Sequence, residues 1–285
     1  MSRLLHLSDT HFGTELPAVL SALERLVACV RPEVLVLSGD ITQRATAAQF
    51  ASARDWLARL PVPHRLVIGG NHDIPLFDLA ERLRHPYRRL SAAFGAEREP
   101  RLDLPDWQVL TLDTTRWWRH RDGTLSRTQI ARTADALQAA APGQIRVVVT
   151  HHPLQVTRSG DEVHRPTHHR EALSAWSGAG ADLLLSGHIH LPAVMPVAVE
   201  PPTAPPGAEP RPPRRVWSIQ AGTAVSRRLR EGIPNTVMLL EAMPGERPGR
   251  LCRCETWQCP PEGGAFRRVA SQLLALSPRC SDPIA

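Results

Sequence analysis

The amino-acid sequence predicts an α/β fold, in which a largely parallel sheet is covered by helices. Short segments such as residues 33–37 and 145–149 are apolar almost throughout. Strands buried on both faces have this character, and such burial is typical of parallel sheets with helices on their faces. The segments between them repeat apolar residues with helical spacing. Because the two kinds of segment alternate along the chain, an α/β protein is expected.

The first part of the chain is predicted to run strand, helix, strand, helix, strand. The three strands are expected at residues 3–7, 33–37 and 65–68. Residues 15–30 carry apolar positions with helical spacing, and Pro32 ends that helix because proline cannot continue the helical hydrogen bonding. The second helix is predicted over residues 46–60, before two further prolines.

The middle of the chain is predicted to continue the same alternation. Its strands are expected at residues 107–112, 145–149 and 182–185. Ser126 and Gln129 have the spacing of a capping box at a helix N-terminus, and a short helix is predicted near residues 171–176. The arginine-rich residues 74–104 are weakly helical and are expected to cap a site.

The last part of the chain has a different character. Residues 192–214 contain many prolines and are predicted to form a long, mobile hairpin loop. Further strands are expected at residues 216–220, 236–240 and 251–256, spaced as a β-meander. An amphipathic helix is predicted over residues 266–276. We therefore expect a single domain over residues 1–285, with the proline-rich loop inside it and the late strands and final helix in residues 215–285.

The composition is that of a soluble globular protein. Of 285 residues, 42% are apolar and 22% are charged. The net charge of +6 suits a phosphorylated substrate, but the arginines are scattered, so charge gives only minor support to nucleic-acid binding. No apolar run approaches the roughly 18–20 residues of a membrane span. The N-terminus lacks the apolar centre of a signal peptide, so a cytoplasmic protein is expected.

The five cysteines do not predict a disulfide framework, because their number is odd and the protein is expected in the cytoplasm. Cys252, Cys254 and Cys259 form a C-x-C-x4-C pattern, which is not a standard zinc spacing. Free thiols on a strand are therefore expected.

Polar residues that can bind metal follow most of the predicted strands. The clusters are Ser8-Asp9-Thr10-His11, Ser38-Gly39-Asp40, Gly69-Gly-Asn-His-Asp73, His151-His152-Pro153 and Gly187-His-Ile-His190. Successive parallel strands end at the same edge of a sheet, where ligands bind, so the clusters are expected to meet there. Glycines in these clusters let the backbone pass close to a ligand.

The residue types in these clusters predict a site for two metal ions. Two carboxylates, one amide oxygen and four or five imidazoles suit zinc, manganese or iron. So many ligands exceed what one open catalytic metal needs and fit two ions that share a bridge. Two such ions clamp phosphoryl oxygens and lower the pKa of a shared water, which becomes the in-line nucleophile. The predicted chemistry is therefore phosphoryl transfer.

The motifs D-x-H, G-D, G-N-H-D, H and G-H-x-H, in this order, resemble those of the calcineurin-like metallophosphoesterase family. Within it, the chain is most similar to class III cyclic nucleotide phosphodiesterases and glycerophosphodiesterases. The resemblance implies a four-layer α/β/β/α sandwich of two mixed sheets flanked by helices. It also implies two divalent ions (Mn, Fe, Zn or Co), the first held by Asp9, His11 and His190, the second by Asn71, His151 and His188, with Asp40 bridging both.

The same resemblance implies roles for residues beside the ligands. His72 would stabilise the transition state and protonate the leaving oxygen, and Asp73 would orient the His72 imidazole. Of the pair His151-His152, the family pattern makes the first the ligand. The implied activity is hydrolysis of a small phosphodiester, of the cyclic nucleotide or glycerophosphodiester type.

Alternative functions stay open at this point. A phosphomonoesterase or a DNA or RNA nuclease of the same family would share these motifs. Against a nuclease, the chain ends too early for the C-terminal DNA-binding extension typical of such subunits. A non-catalytic metal-binding scaffold is disfavoured because Asn71 and His72 are intact, and a scaffold has no use for a proton donor. A homodimer is also left open.

The substrate contacts are the least predictable part of the site. His164, His168 and His169 follow the His151 strand and could line the pocket. The segment Arg116-Trp-Trp-Arg-His120 could offer an arginine to a phosphate or a tryptophan to a base. Residues 221–224, between two late strands, could pack beside the site.

Overall fold

The computed structural model of the protein describes residues 2–119, 121–197, 214–243 and 250–277. Helices α1 to α6 span Pro17–Val30, Ala47–Arg59, Leu79–Arg84, Arg88–Phe94, Arg127–Gln138 and His169–Ala179. Strands β1 to β12 span Arg3–Leu7, Val34–Ser38, His64–Ile68, Arg101–Asp103, Trp107–Leu112, Ile145–Thr150, Leu183–Ser186, Ala193–Val197, Val216–Gln220, Asn235–Met243, Arg250–Cys259 and Arg267–Leu276. None of the described helices is long and apolar enough to cross a membrane.

The strands form two mixed sheets. The first has the order β12-β11-β10-β1-β2-β3, and the second has the order β4-β5-β6-β7-β9-β8. Strands β1, β2 and β3 are parallel to one another, as are β5, β6, β7 and β9. The predicted alternation of strand and helix is confirmed, but it builds two sheets and not one.

Three apolar clusters hold the sheets and helices in four layers. Along β2, Val34 and Val36 point into the cluster between the two sheets, whereas Leu35 and Leu37 point into the cluster beneath α1 and α2. This alternation follows from the two-residue period of a strand. The outer face of the second sheet packs against α5 and α6 around Trp176, which is fully buried. The α/β/β/α sandwich implied by the resemblance is confirmed.

The start of α5 has the predicted capping box. The Ser126 hydroxyl accepts a hydrogen bond from the Gln129 backbone N–H, and the Gln129 side chain accepts one from the Ser126 N–H, which completes the capping box of α5. At the start of α2, Thr46 accepts from the Gln49 N–H in the same way. Caps of this kind contribute about 1 kcal/mol each.

The predicted C-terminal helix is wrong, because Arg267–Leu276 is strand β12 and pairs antiparallel with β11. Leu274 and Leu276 are buried in the core between the sheets, whereas Val269 and Leu273 are 55% and 58% exposed. The weak helical spacing of these residues is overridden because β11 offers a free edge whose backbone groups need partners.

Two further expectations about the late strands need correction. Strand β9 does not begin a meander, since it pairs parallel with β7 in the second sheet, and the meander consists of β10, β11 and β12. The prediction of a loop from residue 192 is wrong at its start, because Ala193–Val197 forms β8, antiparallel to β9. The rest of the predicted mobile loop, residues 198–213, lies outside the described residues.

Candidate metal centre

The predicted ligands lie at the carboxyl ends of strands from both sheets. Asp9 and Asp40 follow β1 and β2 in the first sheet, and His151 and His188 follow β6 and β7 in the second. The Gly187 backbone N–H donates to the His151 carbonyl at 3.1 Å, which ties the last two loops together. The sandwich therefore brings the strand ends of both sheets to one place.

A first group of donors consists of Asp9, His11, Asp40 and His190, whose ligand atoms lie within 4.8 Å of one another. The His11 Nε2 atom is 3.2 Å from His190 Nε2 and 3.7 Å from a carboxylate oxygen of both Asp9 and Asp40. His190 Nε2 is 3.1 Å from Asp9 Oδ1. Carboxylate and imidazole donors that converge in this way can hold a divalent cation.

A second group shares one member with the first. Asp40, His151 and His188 also place their ligand atoms within 4.8 Å of one another. His151 Nε2 is 3.4 Å from Asp40 Oδ1 and 3.2 Å from the Asn71 side-chain oxygen. Since Asp40 belongs to both groups, it is placed where a carboxylate could bridge two ions.

The hydrogen bonds of two histidines fix which ring nitrogen faces the site. His151 Nδ1 donates to the Ser38 carbonyl at 2.8 Å, and His190 Nδ1 donates to the Arg228 carbonyl at 2.7 Å. The Nε2 lone pair of each ring can then point to the position where a metal ion would bind. This arrangement is usual for histidines that bind metals. Among the described residues, Asp9 Oδ1 is buried without a well-formed hydrogen bond, which fits a cation at this point.

The electrostatics keep the carboxylates of Asp9 and Asp40 charged. Burial opposes ionisation of Asp9, but the charge of the neighbouring His190 imidazole holds the pKa of Asp9 at about 2. Burial likewise opposes ionisation of Asp40, and His151 holds the pKa of Asp40 well below its usual range. In return, Asp40 overcomes the effect of burial on His151 and raises the pKa of His151 to about 9. The two buried carboxylates therefore need positive charge beside them, which either protons or metal ions can supply.

Several predicted ligands sit on strained backbone. Left-handed φ values between 43° and 68° occur at Asp9, His11, Asp40, His188 and His190. In this region a residue with a Cβ atom costs about 1–2 kcal/mol. Such strain persists where a functional site requires it, and here all five strained residues belong to the two donor groups.

Two glycines allow the loops to approach the carboxylates. A Cβ atom on Gly70 would overlap the backbone nitrogen and the carboxylate of Asp40. A Cβ atom on Gly187 would overlap the Ser8 hydroxyl and lie 2.5 Å from Asp9 Oδ2. The predicted role of glycine, close passage of the backbone past the site, holds at both positions.

The structure changes the expected relation between Asp73 and His72. The Asp73 carboxylate accepts hydrogen bonds from the backbone N–H groups of Ile41, Thr42 and Gly70. His72 Nδ1 instead donates to the Gln43 carbonyl at 3.1 Å. The Gln43 carbonyl therefore orients the His72 ring. Asp73 instead joins the loop that carries Asp40 to the loop that carries Asn71.

His152 is turned away from the donor groups. Its Nδ1 is 2.7 Å from the Thr114 hydroxyl, and its Nε2 donates to the Arg121 carbonyl at 3.1 Å. Both ring nitrogens are thus engaged outside the site, which leaves His151 as the member of the pair that faces Asp40.

The loop histidines that could line the pocket divide into two kinds. His164 approaches the site, with its Nδ1 2.9 Å from His188 Nε2. His168 and His169 instead donate hydrogen bonds from Nδ1 to the carbonyls of Leu125 and Pro166, so these two side chains stabilise the loop.

A cavity of about 250 Å³ opens above the two donor groups. It is lined by Asp40, Asn71, His72, Arg121, His164, His188, His190 and Arg228. Sequence analysis did not single out Arg121 or Arg228. The run Ser226-Arg-Arg-Leu-Arg230 after a predicted strand was a signal for the second, whereas nothing distinguished the first.

The remaining substrate expectations have mixed outcomes. Arg116 bonds to the carbonyls of Asp113 and Thr115 and to the Gln129 side chain, away from the cavity. His120 lies outside the described residues. In segment 221–224, the Thr223 hydroxyl lies 3.0 Å from His190 Nδ1, so this segment does pack beside the site.

Comparisons with known proteins agree with this arrangement. A model of the calcineurin-like phosphoesterase family matches residues 2–192, which include all the predicted ligands. A Synechococcus protein named as a probable cyclic nucleotide phosphodiesterase is 35% identical over 83 residues. That match spans 29% of this chain and 29% of the relative, so the chain matches less than a third of the relative's length.

Two solved structures share the fold. A purple acid phosphatase from yellow lupin (Lupinus luteus) seeds superposes with a TM-score of 0.69 at 10% identity, over 96% of this chain and 53% of its own. A dimetal phosphatase from Danio rerio superposes with a TM-score of 0.65 at 13% identity, over 97% of this chain and 99% of its own. At these identities the likeness is one of fold alone. On the strength of the family match, this chain belongs to the calcineurin-like phosphoesterases.

Proposed function

We propose that the protein is a metal-dependent phosphodiesterase that hydrolyses a small phosphodiester, of the cyclic nucleotide or glycerophosphodiester type. The observation that carries this proposal is the pair of donor groups that share Asp40 beneath an open cavity. Membership of a phosphoesterase family makes hydrolysis the expected chemistry. The name of the Synechococcus relative, a probable cyclic nucleotide phosphodiesterase, supports a diester over a monoester.

In this proposal each donor group holds one divalent ion. Asp9, His11 and His190 would hold the first ion, Asn71, His151 and His188 would hold the second, and Asp40 would be shared by the two. Bound ions would neutralise phosphoryl charge and make water a stronger nucleophile near neutral pH. The donor set accepts manganese, iron, zinc or cobalt, because it mixes imidazole nitrogen with carboxylate and amide oxygen.

The protein residues hold the metal-binding imidazoles in place and protonate the leaving group. Hydrogen bonds from Nδ1 to backbone carbonyls hold the imidazoles of His151 and His190 in place. His72 lines the cavity, and its Nδ1 is already bound to the Gln43 carbonyl. In this proposal Nε2 of His72 is the ring nitrogen that passes a proton to the leaving oxygen, as general acid. Asp73 positions this residue indirectly, through the backbone of its own loop.

The test is hydrolysis of bis-p-nitrophenyl phosphate against p-nitrophenyl phosphate, with manganese returned to metal-stripped protein. We expect a strong preference for the diester and no turnover by the stripped protein. A preference for the monoester would make the protein a phosphatase. Absence of turnover of both would favour a nuclease or a scaffold, and a salt-dependent gel shift on DNA would then identify the nuclease.

A further inference from the structure

Two arginines of the cavity form no ion pair with an acidic side chain in the part of the chain that the structure describes. Within the described ranges, the guanidinium of Arg121 contacts the His164 ring, and that of Arg228 contacts the Gln43 side chain and the His72 ring. Both arginines line the cavity. Neighbouring arginines are different, since Arg230 pairs with Asp161 at 3.0 Å and Arg158 pairs with Glu231. The two cavity arginines, here called the arginine pair, therefore leave positive charge available to a ligand.

Arg228 is held beside the proposed proton donor. Its NH1 atom is 3.0 Å from the Gln43 side-chain oxygen and 3.4 Å from His72 Nε2. Its own carbonyl accepts the hydrogen bond from His190 Nδ1. The Arg228 guanidinium therefore lies next to the side chain that is proposed to protonate the leaving group.

Arg121 approaches the cavity from the second donor group. Its NH2 atom is 3.3 Å from His164 Nε2, and His164 in turn contacts His188. The Arg121 carbonyl is anchored by His152 Nε2. The arginine pair thus reaches the cavity from both donor groups, and both members are tied to the loops that carry the ligands.

We propose that the arginine pair selects a substrate whose leaving group carries a second phosphoryl group, that is, a disubstituted pyrophosphate such as a dinucleoside diphosphate. This inference rests on the phosphodiesterase function proposed above and narrows its substrate class. A guanidinium binds phosphoryl oxygens through two parallel hydrogen bonds, so Arg228 beside His72 suits the departing phosphoryl group. Diesters with a cationic head group are disfavoured, because the arginines repel them.

The reaction balances without a co-reactant. Water adds to the phosphorus nearest the donor groups, and the bond from that phosphorus to the bridging oxygen breaks. The bridging oxygen leaves on the second phosphoryl group, so one pyrophosphate diester and one water give two phosphomonoesters. Arg228 stabilises the negative charge that develops on the departing group, and this stabilisation grows in the transition state.

A matched pair of substrates tests the proposal. Diadenosine 5′,5′-diphosphate and diadenosine 5′,5′-monophosphate share both nucleosides and differ in one phosphoryl group. We expect the manganese-loaded protein to prefer the diphosphate at least tenfold in kcat/KM. In Arg228→Gln this preference is expected to fall about ten- to hundredfold, the usual effect of losing a charged hydrogen bond, and Arg121→Gln is expected to lower it less because that side chain is exposed.

Arg227→Gln is the matched control, since Arg227 is the exposed neighbour of Arg228 and does not line the cavity. It removes the same charge from the same loop, and the preference ratio should stay at the wild-type value. Equal use of both substrates by the wild-type protein would overturn the proposal. An equal loss of preference in Arg227→Gln would overturn it as well, because a general charge effect would then explain the ratio.

A binding measurement separates failure of this proposal from failure of the proposed function. Methylenediphosphonate and methylphosphonate are titrated calorimetrically into manganese-loaded wild-type protein and Arg228→Gln. We expect Arg228→Gln to bind the diphosphonate about tenfold or more weakly, with little change for the monophosphonate and unchanged metal content. If no diester is hydrolysed but Arg228→Gln still binds the diphosphonate more weakly, the proposed phosphodiesterase function is wrong. The anion site at Arg228 is then still supported. Equal weakening of both ligands would refute the site.

Discussion

The Nε2 atoms of His11 and His190 lie 3.2 Å apart, although 179 residues separate the two histidines in sequence. His11 follows β1 in the first sheet and His190 follows β7 in the second, so packing of the two sheets creates the contact. The Nδ1 atom of His190 donates to a carbonyl, which leaves its Nε2 lone pair directed at His11. Two nitrogen atoms that face each other in this way need a proton or a cation between or beside them.

The role of His72 can be separated from metal binding. Its ring belongs to neither donor group, yet it lines the cavity. We expect His72→Ala to keep both bound ions and to lose about 10²–10⁴-fold in turnover of a diester with a poor leaving group. His85→Ala is the control, because His85 is an exposed histidine outside the cavity. Loss of metal with retention of activity at saturating manganese would show that His72 is a ligand.

The glycine at position 187 is required by the position of Asp9. In Gly187→Ala the new methyl group must displace Ser8 or the Asp9 carboxylate, so we expect metal affinity to fall at least tenfold. Gly178→Ala is the matched control, since its Cβ atom would meet no described heavy atom within 4 Å. This second change lies in α6 and should stabilise the helix by roughly 0.5–1 kcal/mol. Calorimetric titration of manganese measures the first effect, and thermal unfolding measures the second. Equal metal affinity in both variants would contradict the account.

The positions of the polar loops could be predicted from the sequence, because each loop follows a buried strand and carries a cluster of unusual polar residues. Asp9, Asp40 and His151 each follow an apolar run, and burial of that run fixes where its polar end emerges. The separate membership of β1 and β6 in two sheets was not predicted from periodicity, because an apolar strand has the same pattern in one sheet or in two.

The strained backbone and the arginine pair could not be predicted from the sequence for a different reason. A left-handed φ at His188 or His190 depends on contacts between loops, since neither residue favours this region by itself. Arg228 reaches the cavity because its carbonyl binds His190, a contact across 38 residues. Contacts distant in sequence also explain why the predicted C-terminal helix is wrong. Backbone pairing with β11 outweighs the helical spacing of the apolar residues in 267–276.

Protonation of His6 should couple folding stability to pH. This histidine is fully buried on β1, with Nε2 2.8 Å from the Ser38 hydroxyl, and burial lowers its pKa to about 3 against a partial opposing effect of Asp9. Below pH 6.5 the unfolded chain takes up a proton that folded His6 refuses, so stability falls as the pH falls from 6.5 toward 3.

We expect this effect to contribute about 2 kcal/mol between pH 6.5 and pH 5. Denaturant unfolding of the metal-free protein at the two pH values measures it, with His6→Gln as the comparison. The variant should lose less stability on acidification than the wild-type protein. An identical pH dependence in both proteins would show that folding does not lower the pKa of His6.

The cysteines should differ sharply in reactivity. Cys29 is exposed, whereas Cys252, Cys254 and Cys259 are buried free thiols on β11. Burial raises the pKa of the Cys254 thiol to about 12 and also raises the pKa of Cys252, so little thiolate forms near neutral pH. With iodoacetamide at pH 8, peptide mass spectrometry should find Cys29 alkylated and these three protected until denaturant is added. Rapid native labelling of Cys254 would place β11 at the surface.

The central claim, that Asp40 joins two metal sites, is tested most directly by counting bound metal. Metal-stripped protein is loaded with manganese, freed of excess ions and analysed by inductively coupled plasma mass spectrometry, beside Asp40→Ala and the surface control His85→Ala. The account predicts two ions per chain in the wild-type protein and the control. Asp40→Ala should retain less than one, since both donor groups lose a member. A wild-type protein with one ion, or an Asp40→Ala protein that still holds two, would contradict it.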